Sequence, residues 1–138
     1  MIKISKLFAA MVLAGVASHS FAADTIKIGI AGPKTGPVTQ YGDMQFIGAN
    51  QAIKDINAKG GVNGKLPEAT EYDDTCDPQQ AVAVAHTVVT DGVQLVIRHP
   101  CSSSTQPASH LSEDPRVIMI PPPAPRPALT ARGSQLIV

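Results

Sequence analysis

Apolar positions in the first part of the chain change from a strand spacing to a helix spacing. Residues 25–30 (Thr-Ile-Lys-Ile-Gly-Ile) alternate as a β-strand does, and a loop rich in glycine and proline follows them. Apolar residues then recur at helical spacing from Phe46 to Ile56. Lys59-Gly60-Gly61 is expected to end this helix, because glycine adopts the left-handed conformation that stops a helix. The pattern predicts a first strand followed by a first helix.

A second strand and a second helix are expected to follow. The strand falls between Lys65 and Tyr72, and Pro67 places it at a sheet edge because proline cannot donate to a strand ladder. Asp77-Pro78 predicts a helix start, since the carboxylate accepts from free N–H groups and proline has none to leave unpaired. Apolar positions at helical spacing carry this helix to about Thr90: Ala81, Val84, Ala85 and Val88.

The remaining apolar runs predict three more strands. Residues 93–97 and 117–120 are the third and fourth, with a helix from about Thr105 to Ser112 between them, and residues 135–138 begin a fifth. This alternation indicates an α/β fold: a three-layer sandwich with a parallel sheet, strand order 2-1-3-4 and helices on both faces. Ligands bind at the carboxyl ends of strands in such sheets, so the hydroxyl-rich segment 101–105 is a candidate binding segment.

The amino terminus has the features of a secretory signal. Lys3 and Lys6 precede an apolar run over residues 7–16, and Ser20-Phe21-Ala22 offers small residues at the positions that a signal peptidase reads. Cleavage is expected after Ala22, or one residue later, which leaves an exported chain of residues 23–138. The cleavage point has no cysteine, so a lipid anchor is not expected. The chain has no second long apolar run, so a membrane span is not expected either.

Composition narrows the function classes. The chain has 11 basic and 11 acidic residues, no tryptophan and 4% aromatic residues, which argues against nucleic-acid binding by charge or by stacking. The mature part has the size of one small domain with a thin core.

The two cysteines, Cys76 and Cys101, allow two interpretations. If the strand that carries Tyr72 lies beside the strand that ends at Ile97, both cysteines leave the same sheet edge and can meet. An exported protein favours a disulfide. The alternative is two unrelated buried thiols, and no neighbouring base supports a catalytic cysteine.

Catalytic and cofactor chemistry is weakly indicated. A hydrolase would need a serine nucleophile among residues 102–104 with His99 or His110 as base, but the G-x-S-x-G pattern is absent. The mature histidines show no metal-ligand spacing, and Gly29, Gly32 and Gly36 do not have the spacing of a dinucleotide loop. No enzyme activity, metal or cofactor is expected. The proline-rich run 121–127 is interpreted as a stiff loop after the fourth strand, with a ligand for proline-binding domains as the alternative.

Several longer motifs together carry a family resemblance. They are Ile26-Lys27 with Gly36-Pro37, Gln40-Tyr41-Gly42-Asp43, the segments 55–61, 72–78 and 101–105, and Leu129-Thr130-Ala131-Arg132-Gly133. In this order they resemble the leucine/isoleucine/valine-binding proteins of bacterial branched-chain amino-acid ABC transporters. The resemblance implies periplasmic solute binding for uptake, a branched-chain amino acid as ligand and a membrane permease as partner. It also implies two lobes on a hinge, of which residues 23–138 would be an incomplete N-terminal lobe of a type I periplasmic binding protein.

The resemblance also implies a set of site residues. Cys76 and Cys101 match a bridged pair, and Ser102 matches a serine whose hydroxyl and backbone hold the ligand carboxylate. Tyr41 matches an aromatic position in the side-chain pocket, where tyrosine resembles members that accept several branched chains. Pro123 falls where a backbone carbonyl accepts from the ligand ammonium.

The chain departs from the family pattern near this site. Pro125 stands where a threonine donates through its hydroxyl and N–H, and proline has neither group. Arg98 stands where glycine is usual, and Pro100 replaces leucine. Each lost bond to a charged group costs roughly 1.5–3 kcal/mol. The chain is therefore predicted to be an impaired solute binder, and the alternative is a degenerate or truncated gene product without transport activity.

Overall fold

Residues 25–111 and 117–120 are described by a computed structural model of the chain. They form strands β1 (Ile26–Gly32), β2 (Pro67–Asp73), β3 (Leu95–Ile97) and β4 (Ile118–Ile120), and helices α1 (Thr39–Ala58), α2 (Pro78–Thr90) and α3 (Ser102–Leu111). The expected signal segment, the fifth strand, the proline-rich run and residues Pro123 and Pro125 lie outside the described residues.

The four strands form one parallel sheet in the order β2-β1-β3-β4. This confirms the α/β class, the parallel sheet and the strand order that the alternation predicted. It also confirms that β2 is an edge strand, with Pro67 as its first residue. β1 is central because it pairs with β2 along its whole length and with β3 through Ile28, Gly29 and Ile30.

Alternate residues of the sheet pack against helices on its two faces. Ile30 packs with Phe46 and Ile53 of α1 on one face, whereas Ala31 belongs to a cluster with Val84 and Val88 of α2 on the other. Successive side chains of a strand point to opposite faces, so a buried central strand feeds both layers. The result is the predicted three-layer arrangement, with α2 and α3 packed together on one side through Ala81, Ala85 and Ala108.

The face that α1 covers is only partly filled. α1 packs mainly on β1 and β2. At the other edge of the same face, Ile118 and Ile120 remain 45% and 41% exposed. In the part of the chain that the structure describes, no helix has the length and apolar character needed to cross a bilayer.

Helix boundaries show where the apolar pattern was an incomplete guide. α1 begins at Thr39, seven residues before Phe46, because its first turns carry side chains that stay exposed, such as Tyr41 and Met44. α3 begins at Ser102, so the prediction of a start near Thr105 was wrong: Ser102 and Ser103 are only partly covered or exposed and add nothing to an apolar pattern.

The structure confirms one predicted helix start and one predicted helix end. Asp77 accepts hydrogen bonds from the backbone N–H groups of Gln79 and Gln80, both at 2.9 Å, and Pro78 is the first residue of α2. α1 ends at Ala58, and Gly60 and Gly61 follow with φ of +92° and +80°.

Candidate functional site

The candidate site lies at the carboxyl end of the sheet, where three loops come together. These are residues 33–38 after β1, 74–77 after β2 and 98–101 after β3. Because β1 lies between β2 and β3, its loop is flanked by the other two. This is the edge at which ligands bind in open parallel sheets.

Asp73 organises the loop that follows β1. Its carboxylate accepts hydrogen bonds from the N–H of Lys34 at 2.9 Å, from the hydroxyl of Thr35 at 2.7 Å and from the N–H of Thr75 at 3.0 Å. Burial opposes ionisation of this carboxyl group, but the hydrogen bonds together outweigh burial and lower its pKa. One side chain thus ties the β1 loop to the β2 loop.

An ion pair between Lys34 and Glu71 lies beside Asp73. Lys34 Nζ is 2.7 Å from a carboxylate oxygen of Glu71, and the side-chain amide of Asn50 donates to the other oxygen at 2.6 Å. The hydrogen bond from Lys34 is the main cause that lowers the pKa of Glu71. Both side chains are partly exposed, so the pair contributes little to stability.

Cys76 and Cys101 form a disulfide, with their Cα atoms 5.7 Å apart. The alternative of two separate thiols was therefore wrong. The expectation that β2 lies beside β3 was also wrong, because β1 lies between them. The two loops meet beyond the end of β1, and within the first of them Thr75 and Cys76 adopt left-handed backbone conformations, with φ of +48° and +59°.

A buried polar pair lies next to the disulfide. Nδ1 of His99 is hydrogen-bonded to Oδ2 of Asp74, and the two residues are 3% and 0% exposed. The other carboxylate oxygen of Asp74 accepts from the N–H of Cys76 at 3.0 Å. Sequence reasoning missed this pair by treating His99 as an ordinary histidine. A signal was present, because Asp74 and His99 each stand two residues before a cysteine of the bridge.

The serine hydrolase hypothesis gains no support from this geometry. Nδ1 of His99 is hydrogen-bonded to Asp74, as in a catalytic triad, but among the described residues no serine hydroxyl is hydrogen-bonded to the His99 ring: the hydroxyl of Ser103 donates to the carbonyl of Cys76 at 3.5 Å. Ser104 is fully buried, and its hydroxyl has no partner. Within residues 25–111 and 117–120, no group of three or more histidine, cysteine or acidic side chains is placed to hold a metal ion.

Arg98 is buried beneath α3. It is 1% exposed, and its guanidinium donates to the sulfur of Met119 at 3.3 Å and to the carbonyl of Thr105 at 2.8 Å, while Nε has no partner. No carboxylate among the described residues pairs with it. Burial lowers its pKa to about 10, and the guanidinium is still charged at neutral pH.

The two predicted ligand-binding residues that the structure describes lie at the same edge. Ser102 is the first residue of α3, after β3, and Tyr41 is in the first turn of α1, after β1. Tyr41 is 50% exposed, so its ring is open to solvent. The first N–H groups of a helix have no partner inside it, which leaves the amides at Ser102 available to an anion. Ligand contact by either residue stays a prediction.

Comparison with known proteins gives the chain a family. The periplasmic binding protein family matches residues 25–134. The leucine-, isoleucine-, valine-, threonine- and alanine-binding protein of Pseudomonas aeruginosa is 62% identical over 135 residues, which are 98% of this chain and 36% of that protein. The leucine-specific-binding protein of Salmonella typhimurium is 55% identical over 134 residues, 97% of this chain and 36% of that protein.

A solved structure agrees with these relatives. The branched-chain amino acid transporter substrate binding protein of Streptococcus pneumoniae, in complex with isoleucine, superposes with a TM-score of 0.77 and 31% identity. The match covers 83% of this chain and 33% of that one. The chain therefore spans about a third of the length of its relatives, and its fold is part of one lobe. From the sheet order, the disulfide and these matches together, the chain belongs to the periplasmic binding protein family.

Proposed function

We propose that this chain contributes the first part of a binding site for a branched-chain amino acid in the periplasm. The observation that carries the proposal is the position of Ser102 at the start of α3, directly after the bridged Cys101, at the ligand-binding edge of the sheet. Its hydroxyl and the free amides of the first helical turn are suited to a carboxylate, because helix N-termini bind anions.

The remaining contacts are assigned from the family resemblance. Tyr41 would line the pocket for the ligand side chain, and its exposed ring leaves room for a ligand. The carbonyl of Pro123 would accept from the ligand ammonium, whereas Pro125 has neither N–H nor hydroxyl to offer. The names of the relatives include leucine, isoleucine, valine, threonine and alanine, so we do not propose one preferred amino acid.

The cellular setting is part of the same proposal. Residues 1–22 would act as a cleaved signal peptide and deliver residues 23–138, an incomplete N-terminal lobe, to the periplasm. A membrane permease of an ABC transporter would be the partner that receives the ligand, and no catalytic step is involved. Amino-terminal sequencing of periplasmic material is expected to begin at Ala23, or at Asp24 if cleavage falls one residue later.

A chain without transport activity is the second candidate, and two observations favour it. Arg98 is buried without a carboxylate partner in the described part of the chain, and Pro125 removes two donors from the ligand-binding loop. Each such bond to a charged group contributes roughly 1.5–3 kcal/mol. The two candidates differ in whether Ser102 still meets a ligand.

The test is a titration of the 138-residue chain with L-leucine. Calorimetry at micromolar ligand is expected to show no heat, because one open half-site cannot remove the ligand from water and exposed ion pairs contribute about 0–1 kcal/mol. Replacing Pro125 by threonine is not expected to restore binding. NMR at millimolar leucine is expected to shift the amides of Ser102 and Ser103, since a millimolar dissociation constant needs only about 4 kcal/mol.

Two controls identify the contact. Leucinamide lacks the carboxylate and should leave the Ser102 amide unshifted, and Ser102→Ala should weaken the response to leucine. A response to leucine that leucinamide reproduces would assign the contact to the apolar side chain alone. No response at all at Ser102 would favour the second candidate. Micromolar affinity would mean that the site lies elsewhere or that a dimer completes it.

A further inference from the structure

Two independent ties connect the loops after β2 and β3. One is the disulfide between Cys76 and Cys101. The other is the hydrogen bond between Asp74 and His99, each of which lies two residues before its cysteine. Because both members are nine-tenths or more buried, this bond is shielded from competing water and is worth more than a surface contact.

On the β3 side, the backbone at His99 and Cys101 is hydrogen-bonded to the first turn of α3. The hydroxyl of Thr105 donates to the carbonyls of His99 at 2.9 Å and Cys101 at 3.0 Å. The N–H groups of Ser104 and Thr105 donate to the carbonyl of Cys101 at 3.1 and 3.0 Å. A shift of His99 would therefore move the first turn of α3, and Ser102 with it.

On the β2 side, Asp74 is held from three directions. Its N–H donates to the carbonyl of Gly32 in β1 at 3.2 Å, its carbonyl accepts from the N–H of Asp77 at 2.8 Å, and its carboxylate accepts from the N–H of Cys76. The next two residues adopt left-handed backbone conformations, which persist only where the surroundings enforce them. Asp74, in the loop after β2, is thus held in a fixed position against the end of the central strand β1.

We propose that the Asp74–His99 pair positions Ser102 for its ligand. The proposal rests on the proposed function in its choice of Ser102 as the ligand-binding residue. Neither Asp74 nor His99 is assigned a contact with ligand: the pair transmits the fixed position of β1 and β2 to the first turn of α3.

The deciding variant is the double substitution Asp74→Asn with His99→Leu. Asparagine keeps an oxygen for the N–H of Cys76, and no unpaired charge stays buried, so the fold is expected to survive. Amide hydrogen exchange in the oxidised chain is the readout, because it separates local opening from global unfolding. The amides of Ser104 and Thr105 are expected to exchange about tenfold faster or more, while those of Val84 and Val88 in α2 keep their rates.

Two single variants complete the experiment. His99→Asn places its side-chain N–H where Nδ1 stood and should return the exchange of Ser104 and Thr105 towards the wild-type rate. His86→Leu removes an exposed histidine from α2 and should change nothing at α3. Unchanged rates at Ser104 and Thr105 in the double variant, equal acceleration in α2 and α3, or no recovery with His99→Asn would each overturn the proposal.

The leucine titration separates this proposal from the proposed function. If the wild-type chain shows the leucine shift at Ser102, the double variant should bind leucine about tenfold more weakly. His86→Leu should bind leucine as the wild type does. If the wild type shows no leucine shift, the proposed function fails. The exchange rates still decide whether the pair positions the first turn of α3.

Discussion

At the scale of single residues, charged side chains near the carboxyl end of the sheet lie in very different surroundings. Asp73 and Glu71 are partly exposed and hydrogen-bonded, whereas Arg98 is buried with one unpartnered nitrogen. A buried charge without an opposite charge costs several kcal/mol of solvation that its hydrogen bonds only partly return. These residues should therefore respond to substitution in opposite directions.

Replacing Arg98 by methionine is expected to stabilise the chain. An unbranched apolar side chain can fill the space against Met119 without the solvation cost, and the free energy of unfolding should rise by about 1–3 kcal/mol. Urea denaturation measures the change. Lys54→Met is the control, because it removes a positive charge from an exposed position on α1 and should shift the midpoint little. A lower midpoint for Arg98→Met would show that the guanidinium bonds outweigh burial.

We expect the chain to lose stability in acid because of the carboxylates of Asp73 and Glu71. Their pKa values are lowered in the folded chain. A lowered folded pKa contributes stability that is complete above the ordinary values of 3.8 and 4.5 and is lost as pH falls through the folded pKa. Asp73→Asn should therefore unfold at lower urea near neutral pH and show a shallower decline in acid. Asp43→Asn, at an exposed position of α1, should keep the wild-type profile.

At the scale of elements, a glycine allows α1 to pack closely against the loop after β1. A Cβ atom built on Gly42 would lie 2.0 Å from the carbonyl oxygen of Pro33, whereas a Cβ on Gly48 of the same helix would meet nothing within 4 Å. One helix thus contains a glycine that packing requires and one that it does not.

Alanine at these two positions should have opposite effects. Gly42→Ala forces α1 away from the β1 loop and should lower the unfolding free energy by about 1–3 kcal/mol, as overpacked sites do. Gly48→Ala should raise it by up to about 1 kcal/mol, because alanine is the better helix former. Thermal unfolding followed by circular dichroism measures both. Equal effects at the two sites would mean that α1 is free to shift on the sheet.

Sequence reasoning reached the elements more easily than the site. Asp77-Pro78 and Gly60-Gly61 mark helix ends by local chemistry, and Pro67 marked the edge strand, so these features could be predicted. The early start of α1 could not, because the exposed Tyr41 and Met44 add nothing to an apolar period. The Asp74–His99 pair and the burial of Arg98 depend on which loops meet across β1, and local periodicity does not contain that information.

At the scale of the whole molecule, the disulfide joins the loops after two strands, β2 and β3, that are not neighbours in the sheet. It closes a loop between positions 25 residues apart in sequence. The chain-entropy model gives about 3 kcal/mol for a loop of this size. The β3 strand itself is only three residues long.

Reduction of the bridge is expected to destabilise the described lobe. Urea unfolding with and without reductant should differ by about 3 kcal/mol. Cys76→Ser with Cys101→Ser is the matched variant, and reductant should not affect it. Mass spectrometry of the exported chain without reduction should find no free thiols. Two free thiols in that material would show that the bridge does not form in the cell compartment.

The position of the bridge has a consequence for the order of folding. Ile28 of β1 pairs with Leu95 of β3, a contact between segments far apart in the chain, whereas the cysteines are 25 residues apart. Short loops close at lower entropic cost than long ones. During oxidative refolding we expect the cysteines to join early and to hold β2 and β3 one strand width apart. Strand β1 then inserts between β2 and β3, whose ends the disulfide already holds together. The slow step becomes the docking of this single strand.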